Sequence, residues 1–192
     1  ASNLGQMLNR LCQADGIPLV NVVRRNEQAD LLRAAGADHV VVSSADSFAD
    51  DLTAAITATG ATIAFDAIGG GEQVDALLAS MERASSAGQA FSRYGSDTHK
   101  QVYIYGGLDR SVTTLRRTYG MSWGVGGWLL TPFLGRVGFE RMAELQARVA
   151  AEITTTFASG YADTISLADM LDPAVAKAYS AQATGEKHLV TP

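Results

Sequence analysis

Arg24 and Arg25 close the apolar run IPLVNVV and stand about twenty residues beyond Gly5, with no acidic residue nearer downstream than Glu27. Two adjacent guanidinium groups suit a dianionic phosphate, which they grip through paired hydrogen bonds. In nucleotide-binding α/β folds this strand end is where an acid holds a ribose 2′-hydroxyl or an arginine accepts a 2′-phosphate. A pair of solvated surface charges would have the same sequence. Upstream, Ser2-Asn3-Leu4-Gly5 reads as the second half of a G-x-G-x-x-G turn, with Gly5 as its third glycine and Ser2 in place of the second. Such a turn exposes helix N-terminal amides to a pyrophosphate. An ordinary helix start beginning with a small residue fits that stretch as well.

Two further segments, Phe65-Asp66-Ala67-Ile68-Gly69-Gly70 and Tyr103-Ile104-Tyr105-Gly106-Gly107-Leu108, each run from an apolar strand into glycines. Glycine there lets a ribose approach the backbone, and Asp66 is placed to accept hydrogen bonds from the turn. Tight turns alone would require the same residues. The three histidines, His39, His99 and His188, have no metal-ligand spacing. No G-x-S-x-G elbow or phosphate loop ending in G-K-S/T is present. Tyr105 reads as strand packing and Ser43-Ser44 as turn formers. Trp123, Trp128 and Phe133 read as one aromatic cluster of core or subunit interface, with a substrate role as the alternative.

The elements that position these residues follow from periodicity. Leu4, Met7, Leu8 and Leu11 recur at helical spacing over 3–15. Strands are expected at 17–23, 39–43, 61–71 and 101–108, separated by helices at 26–36, 47–60 and 72–83. The nearly continuous apolar character of the strands marks burial on both faces. Residues 84–100 read as a long polar loop, 139–160 as one amphipathic helix, and KHLV near the end as a short strand. Strand and helix alternating through short connections predict a parallel sheet with right-handed crossovers and ligands at the strands' carboxyl ends. A chain of 192 residues that is 47% apolar buries one sizeable core, and a net charge of −5 argues against nucleic acid or an anionic membrane as partner. The single cysteine, Cys12, excludes an internal disulfide framework and fits a reducing compartment.

The succession SNLGQML, NVVRRNEQADLLRAAGADHVV, FDAIGGGE and VYIYGGLD resembles the cofactor domain of the medium-chain dehydrogenase/reductase superfamily. It is most similar to the zinc-free branch of quinone oxidoreductases and mitochondrial-type 2-enoyl thioester reductases. The resemblance covers about Ala1 to Leu108 and continues more loosely to Pro192 through GWLLTPF and ATGEKHLVTP. It implies an α/β fold with a doubly wound, mostly parallel Rossmann-type sheet that lacks its first strand at the N-terminus. Residues 1–192 would be a dinucleotide-binding domain, and a separate N-terminal domain would supply the catalytic residues. The implied cofactor is NADP(H) in preference to NAD(H). Its pyrophosphate would meet Ser2, Asn3 and Leu4 on the Gly5 turn, its 2′-phosphate Arg24 and Arg25, and its ribose side the backbone of Ala67, Ile68 and Gly69. Gly106, Gly107 and Leu108 would flank the nicotinamide. The resemblance further implies hydride transfer to or from a small carbonyl, quinone or enone substrate, no metal, a homodimer, and a cytoplasmic location. No residue of this chain is assigned a catalytic role, and the domain alone is expected to be inactive. A non-catalytic nucleotide-sensing or dimerisation module with the same fold is the alternative.

Overall fold

The structure, a computed structural model, describes residues 1–180 and 187–192. Residues 183–186 of the ATGEKHLVTP segment therefore lie outside the described residues. In chain order the first elements are α1 (Asn3–Ala14), β1 (Val20–Val23), α2 (Asn26–Ala34), β2 (His39–Val42), α3 (Phe48–Thr59) and β3 (Ile63–Asp66). Then come β4 (Gly69–Gly71), α4 (Gln73–Ser86), β5 (Lys100–Ile104), β6 (Asp109–Thr113) and β7 (Trp123–Gly127). After α5 (Leu130–Ala151) follow β8 (Asp163–Ser166), a 3-10 turn (Asp169–Leu171), α6 (Pro173–Ser180) and β9 (His188–Thr191).

Every strand pair is parallel, as the alternation of strand and helix predicts. The sheet is divided where the expected first strand is lacking. β1 pairs with β2, while β3, β5 and β7 form a second sheet with β5 in the middle. No described strand pairs with the free edge of β1 or of β3, so the two sheets share no ladder. What joins them is apolar packing. Leu52, Ala55 and Ile56 of α3 and Val74, Leu77, Leu78 and Met81 of α4 form one buried cluster with Val41 of β2 and Val102 of β5. Val20 and Val22 of β1 and Ala64 of β3 pack against the same cluster. Full burial of each such side chain is worth roughly 1.5–3 kcal/mol, enough to hold both sheets without a shared strand.

Several boundaries differ from expectation: the strand expected at 61–71 is split into β3 and β4, and the one expected at 101–108 stops at Ile104. The sequence also offers Asn26 as the cap of the helix at 26–36, but α2 begins with Arg25 as its N-cap, because the Gln28 side chain accepts from both the Arg24 and Arg25 amides. The helix expected at 139–160 starts at Leu130, stops at Ala151, and is interrupted at Gly138 (φ 83, ψ 171). The β-branched run Ile153-Thr154-Thr155-Thr156 is poor helix sequence and follows directly on its end. The polar segment 84–100 is tied down by a buried ion pair between residues far apart in the chain.

Lys100, the fully buried first residue of β5, places Nζ 2.5 Å from Glu82 Oε2 on α4. It also donates to Ser96 Oγ at 3.0 Å and to the Thr98 carbonyl at 2.8 Å. Ser96 donates to the same carboxylate through its amide and its hydroxyl, and Ser86 adds a third donor. Burial pushes the Glu82 carboxyl up, but bonds from Lys100, Ser96 and Ser86 outweigh it and hold its pKa at about 2. Removing one member of a buried pair strands the other charge, so Lys100→Met should lower stability by about 3–5 kcal/mol in urea unfolding at neutral pH. An unfolded glutamate titrates near about 4.3, so the pair's contribution is complete above roughly pH 5 and drains away as pH falls toward 2. Glu82→Gln should flatten that acid slope; an unchanged slope would mean that other carboxylates produce it.

Candidate cofactor-binding site

The carboxyl ends of β3 and β5 are joined by a backbone seam. Asp66 is buried, and its two carboxylate oxygens accept from the Ile68 amide at 2.9 Å and the Gly69 amide at 2.8 Å. The turn after β5 then crosses this one. Tyr105 donates its amide to the Asp66 carbonyl at 2.9 Å, Leu108 to Ala67 at 3.3 Å, and Asp109 to Ile68 at 2.9 Å. The crossing is so close that a Cβ on Gly106 would lie 2.5 Å from the Ala67 carbonyl oxygen. Ala67, Ile68 and Gly69 are thus brought against Gly106 and Leu108, while Gly107 is open, with no atom within 4 Å of where its Cβ would be. Burial, and then the nearby Asp66 charge, push the Tyr105 phenol up, so it stays protonated at neutral pH.

Beside the seam lies a cavity of about 330 Å³, lined by Ile104, Tyr105 and Gly106 from the end of β5 and by Trp128, Leu129 and Arg136 beyond β7. Trp128 is fixed there by its amide, which donates to the Ile104 carbonyl at 2.8 Å, and by ring contacts to Phe65 and Phe133. The aromatic cluster expected from sequence is therefore two clusters. Trp123 stacks edge-on against fully buried Tyr119, whereas Trp128 and Phe133 lie together by the cavity. Trp123 opens the five-residue strand β7 and Trp128 follows directly after its end, a separation that composition does not reveal. Arg136 carried no signal in the sequence reading.

The other expected contacts sit elsewhere. Ser2 caps α1, its Oγ accepting from the Gly5 amide at 3.2 Å. A Cβ on Gly5 would meet only that hydroxyl, at 3.6 Å. Asn3 donates to the Gly160 carbonyl at 3.4 Å, and Leu4 is exposed. Arg24 and Arg25 are exposed at the end of β1, in the other sheet, where Ser44 donates to the Arg24 carbonyl at 2.6 Å. Among the described residues neither guanidinium forms an ion pair, and no hydrogen bond links Ser2–Gly5 or Arg24–Arg25 to the seam. No group of three or more His, Cys, Asp or Glu side chains among the described residues offers a metal a ligand set.

The seam gives a direct test. Gly106→Ala should cost about 1–3 kcal/mol or more, because the clash is with backbone, whereas Gly107→Ala should stay within about 0.5 kcal/mol of the parent in urea unfolding. Equal effects at the two positions would contradict the close crossing.

Residues 4–90 match a protein-family model described as zinc-binding dehydrogenase. No curated protein sequence matches the chain. Among solved structures, the whole chain superposes on a Mesorhizobium loti protein provisionally described as an NADPH:quinone reductase, with a TM-score of 0.76 and 22% identity over 51% of that chain. It also superposes over its full length on an enoyl thioester reductase from Candida tropicalis (TM-score 0.68, 15% identity, 52% of that chain). A mycobacterial protein solved with NADPH matches at a TM-score of 0.65 and 22% identity over 54% of its length. The chain thus spans about half the length of the structures it matches. Residues 4–90 are similar to the zinc-binding dehydrogenase model, and the chain as a whole shares the Rossmann-type α/β fold of these structures.

Proposed function

We propose that this chain is the cofactor-binding half of an NADP(H)-dependent oxidoreductase acting on a small carbonyl, quinone or enone. The observation that carries the reading is the pair Arg24-Arg25, exposed and without an ion-pair partner among the described residues at the carboxyl end of β1. Arginine at this position accepts a 2′-phosphate, where an acid would select the bare ribose. NADPH in the mycobacterial relative supports the same cofactor. When bound, the cofactor supplies or accepts the hydride.

The chain's own residues would bind and orient it. The α1 start at Ser2–Gly5 would face the pyrophosphate. The seam of Ala67, Ile68 and Gly69 with Gly106, Gly107 and Leu108 would hold the ribose and nicotinamide end. Trp128 and Leu129 would keep water from the neighbouring cavity. Tyr105, protonated at neutral pH, is read as packing, and the proton donor is expected outside this chain. Among the described residues β7 leaves one edge unpaired, and it is glycine-rich, which supports a homodimer through edge pairing. The free, buried Cys12 fits a reducing compartment such as the cytoplasm.

In the complete protein, NADPH should bind about 10–100-fold more tightly than NADH, the worth of one or two charge-assisted hydrogen bonds. Arg24→Ala with Arg25→Ala should erase most of that difference and leave NADH affinity unchanged. Titration by nicotinamide fluorescence measures both. Equal affinities in the unmutated protein would sink the 2′-phosphate assignment.

A further inference from the structure

We propose that Arg136 selects substrates bearing an oxyanion, a carboxylate or a phosphate, whose apolar portion lies against Trp128 in the cavity at the ends of β5 and β7. This deepens the oxidoreductase reading above and rests on it. Arg136 lines that cavity together with Trp128, Leu129 and Pro132, and no Asp or Glu does. Several arginines elsewhere in the fold are engaged, although Arg24 and Arg25 are not. Arg10 donates to the Thr156 and Ala158 carbonyls, Arg116 pairs with Glu72 and Asp75, and Arg148 pairs with Asp15 and Glu152. Arg136 has no hydrogen bond or ion pair among the described residues.

The backbone explains why it stays unpaired. On a continuous helix Glu140, four residues on, would be its natural partner. The chain leaves helical geometry at Gly138, between the two, so that register is lost. The next arginine, Arg141, lies beyond the break and pairs with Glu144 at 2.6 Å.

The cofactor does not need this cation. Its 2′-phosphate is assigned to Arg24 and Arg25 in the other sheet, whereas Arg136 faces the cavity beside Gly106, at the nicotinamide end. A guanidinium binds a carboxylate or phosphate through two parallel hydrogen bonds, and an adjacent indole supplies an apolar face. A volume of about 330 Å³ lies at the small end of the range for small-molecule sites.

The test uses the complete protein, NADPH, and the matched enones 3-benzoylacrylate and its methyl ester. In each, hydride adds to the carbon β to the ketone and a solvent proton to the adjacent carbon, giving the saturated ketone and NADP+. The acid should be preferred about 10–100-fold in kcat/KM. Arg136→Gln should remove that preference through KM, leaving ester turnover and NADPH affinity unchanged, and Arg136→Lys should retain part of it. Phenyl phosphate and benzoate as competitive inhibitors then separate the two anions, the stronger one losing its hold in Arg136→Gln. Ester reduction with no preference for the acid, or equal losses on both substrates in Arg136→Gln, would overturn this assignment alone. Failure to reduce either enone or any quinone with NADPH would overturn it together with the oxidoreductase reading.

Discussion

Two parallel sheets that share no backbone hydrogen bond among the described residues are carried by one apolar cluster, and the geometry of the candidate site depends on it. Leu52 of α3 and Val74, Leu78 and Met81 of α4 are almost completely buried between Val41 of β2 and Val102 of β5. A sheet ladder fixes its strands through directional bonds about 4.8 Å apart. Close-packed side chains fix theirs through volume, and a lost methylene is felt because interiors are as dense as organic crystals. The distance from Arg24-Arg25 on one sheet to the β3–β5 seam on the other is therefore set by how α3 meets α4.

Within the second sheet the limiting feature is the crossing of two turns. Asp66 satisfies two amides at once, which frees the chain to bend directly after β3 and to receive the β5 turn at van der Waals distance. Gly106 is required there by the carbonyl of Ala67, independent of any ligand. The glycines that sequence reasoning links to a cofactor thus have a structural task first. Their surface, a smooth backbone ledge beside an aromatic and one arginine, is what that task leaves exposed.

Much of this was legible in the sequence. Runs of β-branched residues alternating with amphipathic stretches give the parallel α/β order, and the glycines after β3 and β5 mark the strand ends. Local signals could not show which residues meet across the chain. Lys100 lies eighteen residues from Glu82 in a segment that reads as polar loop, so the ion pair anchoring it is invisible to periodicity. Trp123 and Trp128 look like one cluster until the strand separates them. Arg136 resembles any helical surface arginine, and only the backbone break at Gly138 removes the partner its spacing offers. β8 escaped notice because DTIS has no apolar alternation, and its pairing with β9 links residues about twenty-five apart.

In the function we propose, one NADP(H) molecule spans both sheets, with its 2′-phosphate at the end of β1 and its nicotinamide at the β5 turn. An experimental structure of the complete protein with NADP+ tests it most directly. The 2′-phosphate is expected within hydrogen-bond distance of Arg24 and Arg25, and the nicotinamide against Gly106–Leu108 with its face toward the Trp128 cavity. A nucleotide lying away from the strands' carboxyl ends, or a 2′-phosphate held by other residues while Arg24 and Arg25 remain in solvent, would contradict it.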